Sequence, residues 1–270
     1  MLFVQISDMH IRPPGRLAYR RVDTARALER CVAALNALDP RPEFALVTGD
    51  MVDFGTDAEY AHFRELMAPL RIPFFMVPGN HDERNALRRA FPDHAHLHDG
   101  EFVHYVLDRQ PYRLIGLDST VPGAPHGELC AYRLRWLEER LDEAPDRPTV
   151  LFMHHPPFVT GIRHMDAQNC RDGAALGAVV ARHRQVTALL CGHVHRFICT
   201  GWHGIVASIC PSPSHAVTLD LRPDGPPAFS LEPPAYLIHD WGTDLVSQIG
   251  FIGDFGGAFP FFDEGGALID

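Results

Sequence analysis

The chain has 270 residues with a formal net charge of −10, and 46% of them are hydrophobic and 21% charged. That composition belongs to a folded globular protein, with room for one large α/β domain and an appended segment, and it excludes disorder on a domain scale. The acidic balance argues against a nucleic acid polymer as partner, because its backbone calls for a basic footprint.

Residues 2–6 are a short apolar run ending in Ser7-Asp8, and residues 44–48 are another ending in Gly49-Asp50. Both read as buried strands feeding loops. Between them, Val22, Ala25, Leu28, Val32, Leu35 and Leu38 fall at helical spacing and predict a helix over 22–38. Pro40 and Pro42 close it, since proline cannot continue a helix. The pattern repeats with a helix over 57–70, a strand over 73–77 and the loop Pro78-Gly79-Asn80-His81-Asp82. Such alternation predicts parallel crossovers. Runs over 102–107 and 112–117 predict a hairpin, and 134–141 a short amphipathic helix. Two more strands are expected over 149–153 and 188–191, both ending in polar motifs. Runs over 202–209 and 216–221 are each expected as one strand, joined through 211–215.

From Arg222 the composition changes to proline-rich and then to glycine- and phenylalanine-rich sequence, and periodicity fails. The expected division is therefore a domain over 1–221 and a C-terminal extension over 222–270. Phe251, Phe255, Phe259, Phe261 and Phe262 belong either to an irregular wrap or to a cap or homo-oligomer contact, because exposed aromatics are a liability unless buried somewhere. Six scattered cysteines without a CxxC pair read as reduced thiols. The N-terminus lacks a basic segment followed by a long apolar one, and no apolar run reaches the ~18 residues of a membrane span. The expectation is a cytoplasmic protein with no membrane partner.

Five loops, each after an expected strand, carry the chemistry: Asp8-Met9-His10, Gly49-Asp50-Met51-Val52-Asp53, Gly79-Asn80-His81-Asp82, His154-His155-Pro156-Pro157 and Gly192-His193-Val194-His195. Ligand sites in α/β folds gather at the carboxyl ends of strands, so segments far apart in sequence can converge. Alone, each motif also fits a capped turn or a satisfied polar loop. A neutral amide beside an imidazole in Gly79-Asn80-His81-Asp82 is the sharpest of them, and chance hardly produces all five in order.

Together they resemble the calcineurin-like metallophosphoesterases, whose pattern is DxH, GDxxD, GNHD/E, a later His and GHxH. The closer similarity is to class III cyclic-nucleotide phosphodiesterases and bacterial glycerophosphodiesterases, carried by ISDMHIR, VTGDMVDFG, VPGNHDER, FMHHPPF and CGHVH over roughly residues 1–200. The resemblance implies an α/β fold built as a four-layer α/β/β/α sandwich. It implies two divalent metal ions, one held by Asp8, His10 and His195, the other by Asn80, His154 and His193, with Asp50 bridging. Oxygen and nitrogen donors without thiolate suit Mn, Fe, Co or Zn. The reaction implied is hydrolysis of a small-molecule phosphodiester, a cyclic nucleotide such as cAMP or a glycerophosphodiester, by in-line attack of a metal-bridging hydroxide. His81 resembles the family's catalytic histidine, placed to protonate the leaving alkoxide or bind a phosphoryl oxygen. Asp53 and His155 are expected to orient ligands. His215 and Asp166 are expected near the substrate, with Gln168, Asn169, Tyr19 and Arg12 as further lining candidates. The rival readings are a phosphomonoesterase or protein phosphatase on the same metals, with Arg84 the arginine nearest Gly79-Asn80-His81-Asp82, and a noncatalytic scaffold, which predicts missing ligands.

Overall fold

The computed structural model describes residues 1–171 and 173–269. In chain order the first half gives β1 (Leu2–Ile6), α1 (Thr24–Asn36), β2 (Ala45–Thr48), α2 (Asp57–Met67), β3 (Phe74–Val77) and α3 (Arg84–Ala90). Local chemistry sets the helix starts. The Asp23 carboxylate accepts from Arg26 N–H ahead of α1, and Thr56 and Glu59 form a capping box ahead of α2. Next come β4 (Tyr105–Arg109), β5 (Tyr112–Leu117), α4 (Ala131–Asp142), β6 (Thr149–Met153), α5 (Arg163–Asp166), α6 (Gly173–Arg182) and β7 (Val186–Cys191). The chain finishes with β8 (Ile198–Trp202), β9 (Ile205–Ile209), β10 (Ala216–Val217), β11 (Phe229–Ser230), β12 (Ala235–Trp241) and β13 (Leu245–Phe251).

Two sheets result, ordered β13-β12-β1-β2-β3 and β4-β5-β6-β7-β9-β8, with β10 and β11 forming a small separate ribbon. The β1, β2 and β3 pairings are parallel, as are β5 with β6 and β6 with β7. Alternation along β6 explains the layering. Val150 and Phe152 join the core shared with the first sheet, whereas Leu151 and Met153 join Leu137, Leu141, Leu176 and Val180 from α4 and α6. Burial on both faces is why this strand reads as an unbroken apolar run. The first sheet carries α1, α2 and α3, so the α/β/β/α sandwich expected from the motifs is the observed fold.

Three expectations change. The run over 202–209 is a hairpin rather than one strand: His203 and Gly204 take φ of 46° and 88°, a left-handed pair that reverses the chain between β8 and β9. Only Ala216–Val217 of the 216–221 run is strand, paired with Phe229–Ser230. Periodicity does not fail throughout the C-terminal segment, because β12 lies antiparallel to β1, from Leu2 opposite Asp240 to Gln5 opposite Leu237, and β13 pairs with β12. Residues after 222 thus supply two strands of the first sheet.

Candidate active site

The carboxyl ends of β1, β2, β3, β6 and β7 bring the five polar loops to one edge of the sandwich. Five of the residues there have left-handed backbone: Asp8 (φ 58°), His10 (47°), Asp50 (50°), His193 (76°) and His195 (55°). Non-glycine residues in that region cost free energy and persist only where surroundings over-determine them. The supports are explicit. Asp8 N–H donates to Gly49 O at 3.0 Å, His10 N–H to Asp50 O at 3.0 Å, and His193 N–H to the Asp8 carboxylate at 3.0 and 3.1 Å. Sequence reasoning missed one further support, Asp82. Its carboxylate accepts from Gly79 N–H (2.9 Å), Met51 N–H (3.3 Å) and the Tyr60 hydroxyl (2.9 Å), tying two of the loops together. Gly79 is required by close approach, since a Cβ there would collide with the Asp50 carboxylate and backbone.

Asp50 sits at the centre. Its Oδ2 lies 3.6 Å from His10 Nε2 and 3.3 Å from His154 Nε2. On one side, His10 Nε2 faces His195 Nε2 at 3.1 Å, and His195 Nε2 is 3.5 Å from Asp8 Oδ1. On the other, His154 Nε2 is 3.1 Å from Asn80 Oδ1 and 3.3 Å from His193 Nδ1. Asp8, His10, Asp50, His154, His193 and His195 are all buried. All seven residues expected as metal ligands are therefore brought together around Asp50.

The hydrogen-bond network decides what these atoms present. His10 Nδ1 donates to Asp53 Oδ1 at 3.1 Å, and His154 Nδ1 donates to Thr48 O at 2.7 Å. In the neutral rings each Nε2 is then a lone pair aimed at other acceptors, among them Asp50 Oδ2 and Asn80 Oδ1. Buried acceptors facing acceptors are repulsive unless a cation lies among them. The electrostatics register the same demand. Burial would depress His154, yet Asp50 and Asp8 outweigh it and raise its pKa to about 9. Burial likewise works against ionising Asp50, but His154, His81 and His10 hold its carboxyl well below the usual range. Asp8 is raised to about 6 by burial, which the neighbouring histidines only partly offset. His193 falls to about 3 through burial and the His154 charge, so it stays a neutral donor of its lone pair. The donor set fits two divalent cations.

The calcineurin-like phosphoesterase family model matches residues 1–197. The chain belongs to that family. It is 42% identical over 273 aligned residues to a probable glycerophosphodiester phosphodiesterase GpdQ of Arcobacter nitrofigilis, with 100% of each chain covered. It is 33% identical over 201 residues to the 3′,5′-cyclic adenosine monophosphate phosphodiesterase CpdA of Escherichia coli, covering 74% of this chain and 72% of that one. Among solved structures, a dimetal phosphatase from Danio rerio shares the fold, with a TM-score of 0.68, 16% identity and 93% and 98% of the two chains covered. Membership of the family implies a binuclear site for divalent metal ions, and this phosphoesterase carries residues that fit one.

The remaining residues of the phosphoesterase site sort by position. His81 N–H donates to Asp50 Oδ1 at 2.9 Å, and His81 Nδ1 donates to Asp53 O at 2.8 Å, so the ring is fixed with Nε2 turned from the loop. Asp53 accepts from His10 and from Arg12 Nη1 at 3.1 Å, which occupies Arg12. His155 Nδ1 pairs with the Ser119 hydroxyl at 2.8 Å, and its ring packs 4.7 Å from that of His193. Its burial among other imidazoles holds its pKa well below the ordinary value.

A cleft of about 330 Å³ opens over the cluster. His81 and His215 line it, as do Tyr19 and Gln168. His215 is placed by Ser214, whose hydroxyl is 2.8 Å from its Nδ1, and its ring lies 4.5 Å from that of His195. Asp166 is not brought to the cleft. Its carboxylate accepts from Thr160 N–H and Oγ1 at 2.7 Å and from Gly161 N–H at 3.0 Å, a loop-building role that corrects the expected substrate contact. Asn169 is likewise turned away, donating to Phe158 O and Asp166. Phe229 and His164 were not singled out in the sequence, yet both line the cleft. Phe229 comes from a two-residue strand with no motif around it, and its packing 5.1 Å from Tyr19 and 5.6 Å from His215 reveals it. Arg84 points elsewhere, with Nε and Nη2 on the Asp118 carboxylate at 2.5 and 3.0 Å and Nη2 also on Thr120.

Proposed function

We propose that this phosphoesterase hydrolyses small phosphodiesters, of the glycerophosphodiester or 3′,5′-cyclic nucleotide kind, with Asp8, His10 and His195 holding one divalent cation, Asn80, His154 and His193 the other, and Asp50 shared between them. The named activities of the relatives at 42% and 33% identity support the substrate class. Oxygen and nitrogen donors alone suit Mn, Fe, Co or Zn. When bound, such a pair supplies charge neutralisation at the phosphoryl oxygens and a water acidified toward neutral pH.

The protein's own residues do the rest. Asp50 and Asp53 fix His81 through its backbone N–H and its Nδ1. In the imidazolium form Nε2 carries the second ring hydrogen toward the cleft, and that proton passes to the departing alkoxide while Nδ1–H stays on Asp53 O. Asp53 sets the tautomer of His10, and Thr48 O that of His154, leaving both Nε2 atoms as lone pairs. Tyr19, Phe229 and His215 form an aromatic wall, with ring separations of 5.1–5.6 Å, for the alcohol part of the substrate.

One observation carries the choice of diester over monoester: among the described residues no arginine or lysine lines the cleft, and Arg84 is held by Asp118. A monoester dianion calls for a guanidinium fork in addition to the metals, whereas a diester bears one charge. The exposed C-terminal phenylalanines and the edge strand β13 support self-association of the chain. A panel with added Mn²⁺, comprising cAMP, glycerophosphocholine, glycerophosphoethanolamine and simple mono- and diesters, tests the reading. Diesters are expected to be turned over preferentially, and a clear preference for monoesters overturns it.

A further inference from the structure

Phe229 reaches the cleft on the shortest strand pair of the protein. The β10–β11 ribbon pairs only Ala216 with Ser230 and Val217 with Phe229, and among the described residues neither strand joins one of the two large sheets. One further backbone bond, from Thr218 N–H to Ala228 O at 2.9 Å, continues the pairing. A two-stranded ribbon of this length is marginal in water by itself. Val217, Pro227, Ala228 and Phe229 nevertheless form one side of the cleft over Asp50, so the ribbon has to be held from outside.

It is held by one apolar contact and one guanidinium. Val217 packs into the core on the outer face of the second sheet. Arg196, the residue after His195, reaches both strands of the ribbon. Its Nε donates to Val217 O of β10 at 3.0 Å, and its Nη2 donates to the carboxylate of Glu232, two residues beyond β11. The same Glu232 oxygen accepts from the Ser230 hydroxyl of β11 at 2.8 Å. A guanidinium serves two acceptors in fixed directions, which suits it to bridging the two strands. The Arg196 side chain is only 14% exposed, so these bonds are largely shielded from water.

We propose that Arg196 is a positioning residue for substrate recognition: it latches the β10–β11 ribbon to the loop that carries His193 and His195, and so sets where Phe229 meets the alcohol part of the substrate. That role rests on the reading of Tyr19, Phe229 and His215 as the wall for this group. Arg196 does not itself line the cleft, and its side-chain bonds run to Val217 and Glu232 rather than to Asp8, His10 or Asp50. Val217 stands directly opposite Phe229, so a bond to Val217 O fixes the residue pair that carries the ring. Phe229 in turn packs 5.1 Å from Tyr19 and 5.6 Å from His215, and a shift of the ribbon opens that wall.

Two measurements on the full-length protein with Mn²⁺ test the latch: steady-state kinetics with bis(4-nitrophenyl) phosphate and native-state amide exchange. Arg196→Ala and Phe229→Ala should each raise KM about fivefold, with kcat and metal content kept. Because Arg196 acts through Phe229, the double variant should show no more than about twice the KM of Phe229→Ala, whereas independent effects would multiply to roughly 25-fold. Thr218 N–H should exchange about tenfold faster in Arg196→Ala, with the amides of β1 and β6 unchanged. Glu232→Ala, at a side chain 42% exposed, leaves the core intact and should move KM and Thr218 exchange the same way by a smaller factor. The proposal is overturned if the KM effects multiply, if Arg196→Ala loses metal or loses kcat at unchanged KM, or if Thr218 exchange stays the same. Should the unmodified protein turn over no diester, the diesterase reading fails separately, and Thr218 exchange alone then judges the latch.

Discussion

The backbone N–H of His81 donates to Oδ1 of Asp50 at 2.9 Å, while Oδ2 of the same carboxylate faces His10 and His154. One side chain thus holds the loop that carries His81 and occupies the centre of the proposed metal cluster. Replacing Asp50 by Ala is expected to lower bound metal below about two ions per chain and to abolish turnover. Metal analysis beside activity decides the point: near-normal metal-dependent turnover in the variant would end the binuclear reading.

His81 is expected to separate from the other histidines in its consequences. Its Nδ1 is spent on Asp53 O, and it is not among the seven residues proposed to hold the metals. His81→Ala should cut kcat by roughly 10²–10⁴-fold, the usual contribution of a positioned general acid, with metal content kept. Loss of metal instead would make His81 a structural residue of the loop.

Arg84 and Asp118 form a buried pair in which the carboxylate is fully enclosed and also accepts from Val103 N–H and Thr120. Arg84→Ala leaves that charge without its partner and should cost about 3–5 kcal/mol in urea unfolding. Restoring balance with the Arg84→Ala, Asp118→Ala double variant should recover part of it, giving a coupling well above zero in a double-mutant cycle. Simple additivity would show that the pair is not a unit.

His239 provides a pH prediction away from the metal cluster. It is fully buried, its Nδ1 paired with Ser247 Oγ and its Nε2 with Gln5 Oε1, and burial pulls its pKa from 6.5 to about 3. Between those values the unfolded chain binds the proton that the folded chain refuses, so stability rises with pH across the window and is fully present above about 6.5. It is lost as pH falls toward 3. His239→Gln should flatten this limb of a stability profile between pH 4 and 7 relative to the unmodified chain. An unchanged slope would assign the acid sensitivity to other groups, with His96 and His104 the next to replace.

Much of the site was legible because its pieces are local. A strand ending in Ser7-Asp8 or Thr48-Gly49-Asp50 places its polar residues at a sheet edge whatever the rest of the chain does, and five such endings in one order define the cluster. The apolar runs of β1, β2, β6 and β7 announce burial on both faces for the same reason. Even the missed hairpin left a trace, since Gly204 interrupts the 202–209 run where the left-handed pair falls.

What tertiary structure alone decided are relations between residues that carry no shared local pattern. Asp166 looked available to substrate until Thr160 and Gly161 were seen to claim its carboxylate. Arg84 looked available to phosphate until Asp118, 34 residues later, was seen to hold it. Residues 235–241 join the first sheet because β1 offered an unpaired edge, a fact belonging to Leu2–Ile6 rather than to the proline-rich segment that precedes β12. The sequence by itself determined which donor atoms the strand ends carry. Folding decided where each donor and acceptor is spent, because burial makes every polar group find a partner and most of those partners are distant in the chain.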